Sequence, residues 1–347
     1  MSLARIAILS ATGSGRKRTI PAVAKSNLCE VVAVHSRDEA RASQLAAEFH
    51  IPHYFTTERA LLSSTDYDIL YVASPPFLHK QQILEAIPFG KPIICEKPLA
   101  LTVDDAAEIQ AAVERSRLPF MVAHHLRHDP ALQQVRALLA DGAIGPVRYA
   151  SFQWSFKLNQ NSANVAWKLD PLRGGSHAFF DAGIHAIDLA QFLFGSPVAV
   201  LATGFSAYSS NTLDNASALF GYPDKTASLN ASQVMALPEN GVRIDGESGR
   251  LVAPNALAER SLAEYTVTTG ANSWTKTFTQ LDVYQCEVEA FVRHVHGDPN
   301  WTGTSLEEGV NGVRILDAIG RSIATGCAAD LSRGQTVPNK RPPSIGG

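Results

Sequence analysis

The first 124 residues alternate short apolar runs with longer amphipathic stretches. Arg5-Ile6-Ala7-Ile8-Leu9-Ser10, Glu30–His35, Asp68–Ala73, Ile93-Ile94-Cys95 and Phe120-Met121-Val122-Ala123 are each of strand length and apolar nearly throughout, as strands covered on both faces of a sheet must be. Between them lie helical segments: Glu39–Phe49 behind a capping Asp38, His79–Phe89, and the alanine-rich Val103–Ser116. Regular alternation of strand and helix predicts a doubly wound parallel sheet.

Beyond residue 124 the pattern changes. Val147–Phe156 alternates apolar and polar positions, and Val198–Ala207, Ala216–Tyr222, Thr226–Ala236, Arg243–Asp245 and Tyr265–Thr269 read as further strands. Alternation with a period of two describes a sheet with one covered face. The reading is therefore α/β: a first domain of residues 1–124 built on the parallel sheet, an α+β domain of 125–335 with a second, half-exposed sheet, and a disordered tail at 336–347.

Composition narrows the class of partner. A chain of 347 residues that is 45% hydrophobic and 18% charged exceeds one core and suits two domains. A net charge of −3 provides no broad basic field for nucleic acid. No apolar run reaches membrane-spanning length, and no leader-like segment precedes the first strand. Cys29, Cys95, Cys286 and Cys327 are scattered, without ligand-like spacing, and read as reduced core thiols. The expectation is a cytoplasmic protein acting on small molecules.

The first strand runs into Ser10-Ala11-Thr12-Gly13-Ser14-Gly15 and then a basic helix start, Arg16-Lys17-Arg18. Backbone N–H groups at such a helix start bind a pyrophosphate. The glycine fingerprint is altered, however, with Ser10 and Thr12 in the first two glycine positions and only Gly15 retained; a turn serving packing alone is the other reading. After the second strand, Ser36-Arg37 stands where an acidic residue would grip an NAD ribose. A hydroxyl and a guanidinium suit a 2′-phosphate, so NADP(H) is favoured, with NAD(H) as the other cofactor the loop admits. Ser74, Pro75 and His79 would shape the nicotinamide side of the cleft.

Pro98 ends the strand of Ile93-Ile94-Cys95 just after Glu96-Lys97, fixing Lys97 at the carboxyl edge where ligands bind open parallel sheets; a surface Glu-Lys pair is the plainer alternative. Further on, His177, Asp181, His185 and Asp188 fall at i, i+4, i+8 and i+11, which on a helix is one face. Capping and hydrogen-bonded interface histidines would account for the same residues. A metal held by His177, Asp181 and His185, or by His124-His125-Leu126-Arg127-His128, is the third possibility. No cysteine joins either group, and a nearby lysine would oppose a dication, so no metal is expected.

Pro75-Pro76-x-x-His79, Gly90-Lys91 leading to Glu96-Lys97-Pro98-Leu99, Arg127-x-x-Pro130, Gly142-x-Ile144-Gly145, Gly174-Gly175, Asp181-x-Gly183-x-His185-x-x-Asp188 and Ala290-Phe291 occur in this order over nearly the whole chain. In that order they resemble the Gfo/Idh/MocA oxidoreductase family. The resemblance implies a catalytic set of Lys97, Asp181 and His185 acting on a secondary alcohol or ketone of a sugar or polyol. His185, with a pKa near neutrality, would be the general base, Lys97 would stabilise alkoxide-like charge, and Asp181 would orient the histidine or a sugar hydroxyl. It also implies a dinucleotide-binding Rossmann domain at 1–124, a substrate-binding and oligomerisation α+β domain at 125–335 with a large, mainly antiparallel open sheet, a cis Lys97-Pro98 peptide, and a homodimer or homotetramer joined through the second sheet. Cofactor contacts are expected from Ser10, Thr12, Gly13, Ser14, Gly15, Ser36, Arg37, Ser74, Pro75, His79, Glu96 and Lys97. Substrate contacts are expected from His125, Arg127 and Trp167 besides the catalytic set. A non-catalytic sensor of NAD(P) or a sugar, on the same fold, is the alternative that the altered glycine loop motivates.

Overall fold

The structure is a computed structural model that describes residues 2–64, 66–159, 165–208, 211–236 and 238–331; the tail expected at 336–347 lies outside them. The apolar runs of the first half form β1 (Ala4–Leu9), β2 (Cys29–His35), β3 (His53–Phe55), β4 (Ile69–Val72), β5 (Ile93–Glu96) and β6 (Phe120–Ala123). They hydrogen-bond in the order β3-β2-β1-β4-β5-β6, every pair parallel. The order reverses between β1 and β4, so their carboxyl ends open a crevice between diverging connections. Asp38 caps the helix Glu39–Glu48 by accepting from the Arg41 amide at 3.0 Å. The helix expected over His79–Phe89 stays α-helical only to Ala86, then tightens to a 3₁₀ turn at Ile87–Phe89 that Gly90 ends at φ +69°.

The second half builds β7 (Val147–Ser155), β8 (Ala199–Phe205), β9 (Asn215–Gly221), β10 (Thr226–Ser232), β11 (Val242–Gly246), β12 (Arg250–Ala253), β13 (Glu264–Thr269), β14 (Asn272–Thr277) and β15 (Ala329–Asp330). Their order is β14-β13-β12-β11-β7-β10-β9-β8-β15, antiparallel except where β7 meets β10. One face is covered by the helices Pro130–Ala140 and Ile184–Phe194, whose Leu132, Val135, Ile187 and Leu189 share a core with Phe152, Phe220, Leu229 and Ile244.

Two helices of the second half, Val283–Val295 and Leu306–Thr325, turn back onto the first sheet. Val288, Phe291 and Val292 enter a core with Ile6, Ile8 and Ile94, and Val310 and Val313 enter another with Leu9, Leu70 and Val122. A β-bridge between Val122 and Thr304 stitches the same junction.

Cys29 and Cys95 are core thiols as expected, but Cys286 is half-buried and Cys327 exposed, a correction to the reading that all four lie inside. No described helix is long and apolar enough to cross a membrane.

Candidate active site

A cleft of about 1040 Å³ runs along the carboxyl ends of β1, β2, β4 and β5 and is closed on its far side by Leu158, Trp167, Lys168, Arg173, Phe180 and Asp181 of the second half. Its cofactor-facing wall holds Ser10, Thr12, Gly13, Ser14, Ser36, Arg37, Ser74, Pro75, Glu96 and Lys97, together with Lys17, Arg18 and Arg41. Ser10 takes φ +54°, the left-handed backbone that glycine adopts without cost. Its amide donates to His35 Nδ1 at 3.3 Å, and Gln82 Nε2 donates to its hydroxyl at 3.3 Å, so neighbours hold the strained turn. The loop leads into a wide helical turn, Gly15–Thr19, that continues as Ile20–Val23.

Three expected cofactor contacts are otherwise engaged. Gly15 lies beneath the loop, where an added Cβ would sit 3.4 Å from Ala73 Cβ and Ile8 Cγ2, so it serves packing. His79 is fully buried, with Nε2 2.9 Å from the Ser74 carbonyl and Nδ1 3.0 Å and 3.2 Å from the carbonyls of Pro98 and Leu99. It ties the Ser74-Pro75-Pro76 turn to the end of β5 and does not line the cleft. Ser14, expected to offer its hydroxyl to a ligand, donates it to the Ala73 carbonyl at 3.3 Å. Ser74 Oγ, by contrast, is buried on this wall without a hydrogen-bond partner among the described residues. An unpaired buried hydroxyl and a basic rim fit a bound dinucleotide phosphate chain and ribose.

The residues around 181 do not form the single helix expected. The backbone of Ser176–Ala178 pairs with Leu213, His177 is extended at φ −152° and ψ 162°, and a 3₁₀ turn at Ala178–Phe180 intervenes before the helix starts at Ile184. His177 therefore turns away, with Nε2 3.1 Å from the Leu316 carbonyl. Among the described residues no group of three His, Cys, Asp or Glu is placed to hold a metal ion.

Lys97, at the end of β5 and followed by a cis Lys97-Pro98 peptide, donates from Nζ to the Asp181 carbonyl at 2.9 Å and stands 3.7 Å from Asp181 Oδ1. Asp181 Oδ2 accepts from Lys168 at 2.7 Å and from Gln233 at 3.2 Å. Burial would raise the Asp181 pKa, but the ammonium groups of Lys168 and Lys97 outweigh it and hold this carboxyl ionised, well below the usual range. Burial also lowers the pKa of Lys97, against the pull of Asp181 and Glu96.

His185, expected in the catalytic set, does not line the cleft and sits in an aromatic pocket of its own. Its ring stacks on Trp154 with centroids 4.1 Å apart and meets the edge of His125 at 5.0 Å; its Nδ1 is buried without a partner. The expectation of a near-neutral pKa is corrected. Burial first, then the charge of Lys97, pushes it well below the ordinary histidine value, so the ring is neutral. The partners of Asp181 are Lys97, Lys168 and Gln233, so the expected orientation of His185 by Asp181 is not the arrangement found.

Trp167 and Arg173 line the cleft, with the Arg173 guanidinium 4.6 Å above the Phe77 ring. His125 and Arg127, expected in the substrate pocket, are placed elsewhere. His125 packs on Tyr284 at 4.6 Å with Nε2 3.3 Å from the Ala258 carbonyl, and burial drops its pKa to about 3. Arg127 grips both oxygens of Asp188 at 2.9–3.0 Å and Glu308 at 2.6 Å. That buried network fastens the helices at 184 and 306 to the turn after β6.

Sequence reasoning missed Lys168, Gln233 and Trp154. Nothing in the spacing joins Lys168 to Asp181; the chain must reverse between them at Gly174-Gly175. Gly175 has φ +91°, and a Cβ there would stand 2.1 Å from the Phe180 ring. Replacing Gly175 with alanine should lower stability by roughly 1–3 kcal/mol from backbone strain alone, with the clash adding to it; thermal unfolding beside the wild type measures this.

A crevice of this kind at a topological switch point, floored by a lysine-carboxylate pair, places the protein among the NAD(P)-dependent dehydrogenases and reductases. Comparison sharpens the class. Residues 4–124 match the oxidoreductase family with an NAD-binding Rossmann fold, and residues 132–252 match the GFO/IDH/MocA C-terminal domain. The chain belongs to the GFO/IDH/MocA oxidoreductase family. It is 33% identical to D-xylose 1-dehydrogenase (NADP(+)) 2 of Haloferax volcanii over 328 residues, covering 93% of this chain and 98% of the relative. It is 27% identical to 1,5-anhydro-D-fructose reductase of Ensifer adhaerens, over 88% and 92% of the two chains. Among solved structures, the aldose-aldose oxidoreductase of Caulobacter crescentus superposes with a TM-score of 0.86 at 21% identity, covering 95% and 100% of the chains.

Proposed function

We propose that this protein transfers a hydride between a nicotinamide dinucleotide, NADP(H) in preference to NAD(H), and a secondary alcohol or ketone carbon of a sugar or polyol. The observation that carries the reading is the meeting of Lys97, from the end of β5, with Asp181, from the second half, on one wall of the dinucleotide cleft. The dinucleotide, when bound, supplies the hydride acceptor for oxidation and the donor for reduction.

Lys97 holds the substrate oxygen. In oxidation its amine takes the hydroxyl proton as hydride leaves the carbon; in reduction its ammonium returns that proton to the forming alkoxide. This assigns the proton exchange to Lys97 and not to His185, because Lys97 lines the cleft and His185, stacked on Trp154, does not. Asp181 anchors the ammonium and presents its remaining lone pairs to a substrate hydroxyl. His185, neutral and stacked on Trp154, lies outside the cleft lining and takes no part in the proton exchange.

The sugar class is supported by the relatives named for D-xylose and 1,5-anhydro-D-fructose. The reading extends to a cytoplasmic homodimer or homotetramer, divided near residue 124 into cofactor and substrate halves. Turnover of aldoses, ketoses and polyols with NADP⁺ or NADPH, followed at the nicotinamide absorbance, tests it; absence of turnover of every such compound with either dinucleotide overturns it.

The cofactor preference has its own test. Arg37 is exposed on the cleft rim without an ion-pair partner among the described residues, beside Ser36, Arg41 and Lys17. Arg37→Asp should weaken NADPH roughly 10–100-fold, the worth of one charge-assisted hydrogen bond, and NADH far less. Equal losses by fluorescence titration would place the 2′-phosphate elsewhere.

A further inference from the structure

We propose that Lys168 is a positioning residue for the same reaction: by occupying one oxygen of Asp181 and setting a second positive charge nearby, it keeps Lys97 able to accept a proton. The inference rests on the assignment of proton exchange to Lys97.

The geometry of Asp181 carries it. Its Oδ2 is saturated by Lys168 Nζ at 2.7 Å and Gln233 Nε2 at 3.2 Å, while Oδ1 stays 3.7 Å from Lys97 Nζ. That distance is longer than the 2.7–2.9 Å or so of a charge-assisted hydrogen bond. The one close bond of Lys97 to this residue goes to the neutral peptide carbonyl. A carboxylate turned fully toward Lys97 would lock the proton onto it; one turned toward Lys168 does not.

The fold builds this arrangement. Lys168 ends the short helix Val165–Lys168, and Gly174 packs on its backbone so closely that an added Cβ would lie 2.6 Å from the Lys168 carbonyl oxygen and 2.7 Å from its Cα. The close packing at Gly174 thus seats Lys168 over Asp181. Lys97 is also faced by Glu96 on its own strand, Arg18 from the first helical turn, His185, and His124 and His125 from the turn after β6. Glu96 and Asp181 favour the ammonium, and Lys168 and Arg18 oppose it. Arg18 is itself paired with Glu259, and burial keeps the histidines neutral. Removing Lys168 deletes an opposing charge and leaves Oδ2 only the neutral amide of Gln233, so the carboxylate turns toward Lys97, the nearest remaining cation on it.

The test is the pH profile of kcat for oxidation in Lys168→Met and Lys168→Arg. The acid limb of Lys168→Met should move up by about one pH unit or more, the usual effect of a carboxylate newly closing on a cation, while Lys168→Arg keeps the wild-type limb. A Lys168→Met limb at the wild-type position overturns the inference, whatever the rate. Full activity in Lys97→Met would instead remove the proton-exchange reading itself, so the two failures are separable. If Lys168→Met does not fold, acetylation of Lys97 by acetic anhydride across pH, read by peptide mass spectrometry in wild type and Lys168→Gln, gives the same comparison without turnover. A higher midpoint in the variant supports the proposal and equal midpoints overturn it.

Discussion

Lys97→Met should lower turnover by about 10²–10⁴-fold in both directions, the usual worth of a positioned acid-base group, without loss of NADPH binding. The methionine keeps an unbranched side chain of similar reach in a mostly buried position, so the floor of the cleft is not emptied. Stability should hold or rise, because replacing a buried charged group with an apolar one of similar volume removes a desolvation cost. Asp181 does not become an uncompensated charge, since Lys168 and Gln233 remain on Oδ2. Single-turnover hydride transfer separates the outcomes: a loss confined to KM would make Lys97 a binding group only.

The second large effect falls on folding. Arg127→Met should cost about 3–5 kcal/mol, as breaking a buried ion pair by removing one partner does. Asp188 is 2% exposed and would keep only Thr304 Oγ1 at 3.1 Å and, at 3.8 Å, a His124 ring whose pKa burial has pushed down to about 4. No nearby cation would replace the guanidinium. Glu308 would lose a 2.6 Å contact but can reach water. Chemical denaturation should therefore show a lowered midpoint with Arg127→Met, and Asp188→Asn should destabilise less, since the amide needs no counter-charge. A melting point unchanged in Arg127→Met would mean that the network is not what fastens the two helices to the turn.

Five strands of the first sheet were legible because they are apolar and covered, so runs bounded by Gly, Pro and polar residues mark them almost to the residue, whereas β3, short and mostly exposed, was not read. Val103–Ser116 and Phe120–Ala123 match the expected bounds. β14 escaped notice because all six of its residues, Asn272–Thr277, are exposed and carry no alternation. The four titratable residues from His177 to Asp188 suggested one helical face, but the backbone of Ser176–Ala178 is committed to Leu213, a partner that no periodicity reveals.

Arg127 looked like a ligand contact for a similar reason. Its partners lie 61 and 181 residues away along the chain, and only the packed structure shows that they satisfy it. Lys97 and Asp181 were found from motif order; Lys168 was not, because its role depends on a chain reversal. Local pattern located the cleft, and distant pairing decided which polar residues were left to face it.

The return of the Val283–Val295 and Leu306–Thr325 helices to the first sheet means that the nucleotide half is not self-sufficient. A fragment ending at residue 124 would leave the faces that Phe291, Val292, Val310 and Val313 cover open to water, and such faces drive aggregation. Excision should give insoluble or partly structured material, and the two halves of the intact chain should melt as one cooperative unit.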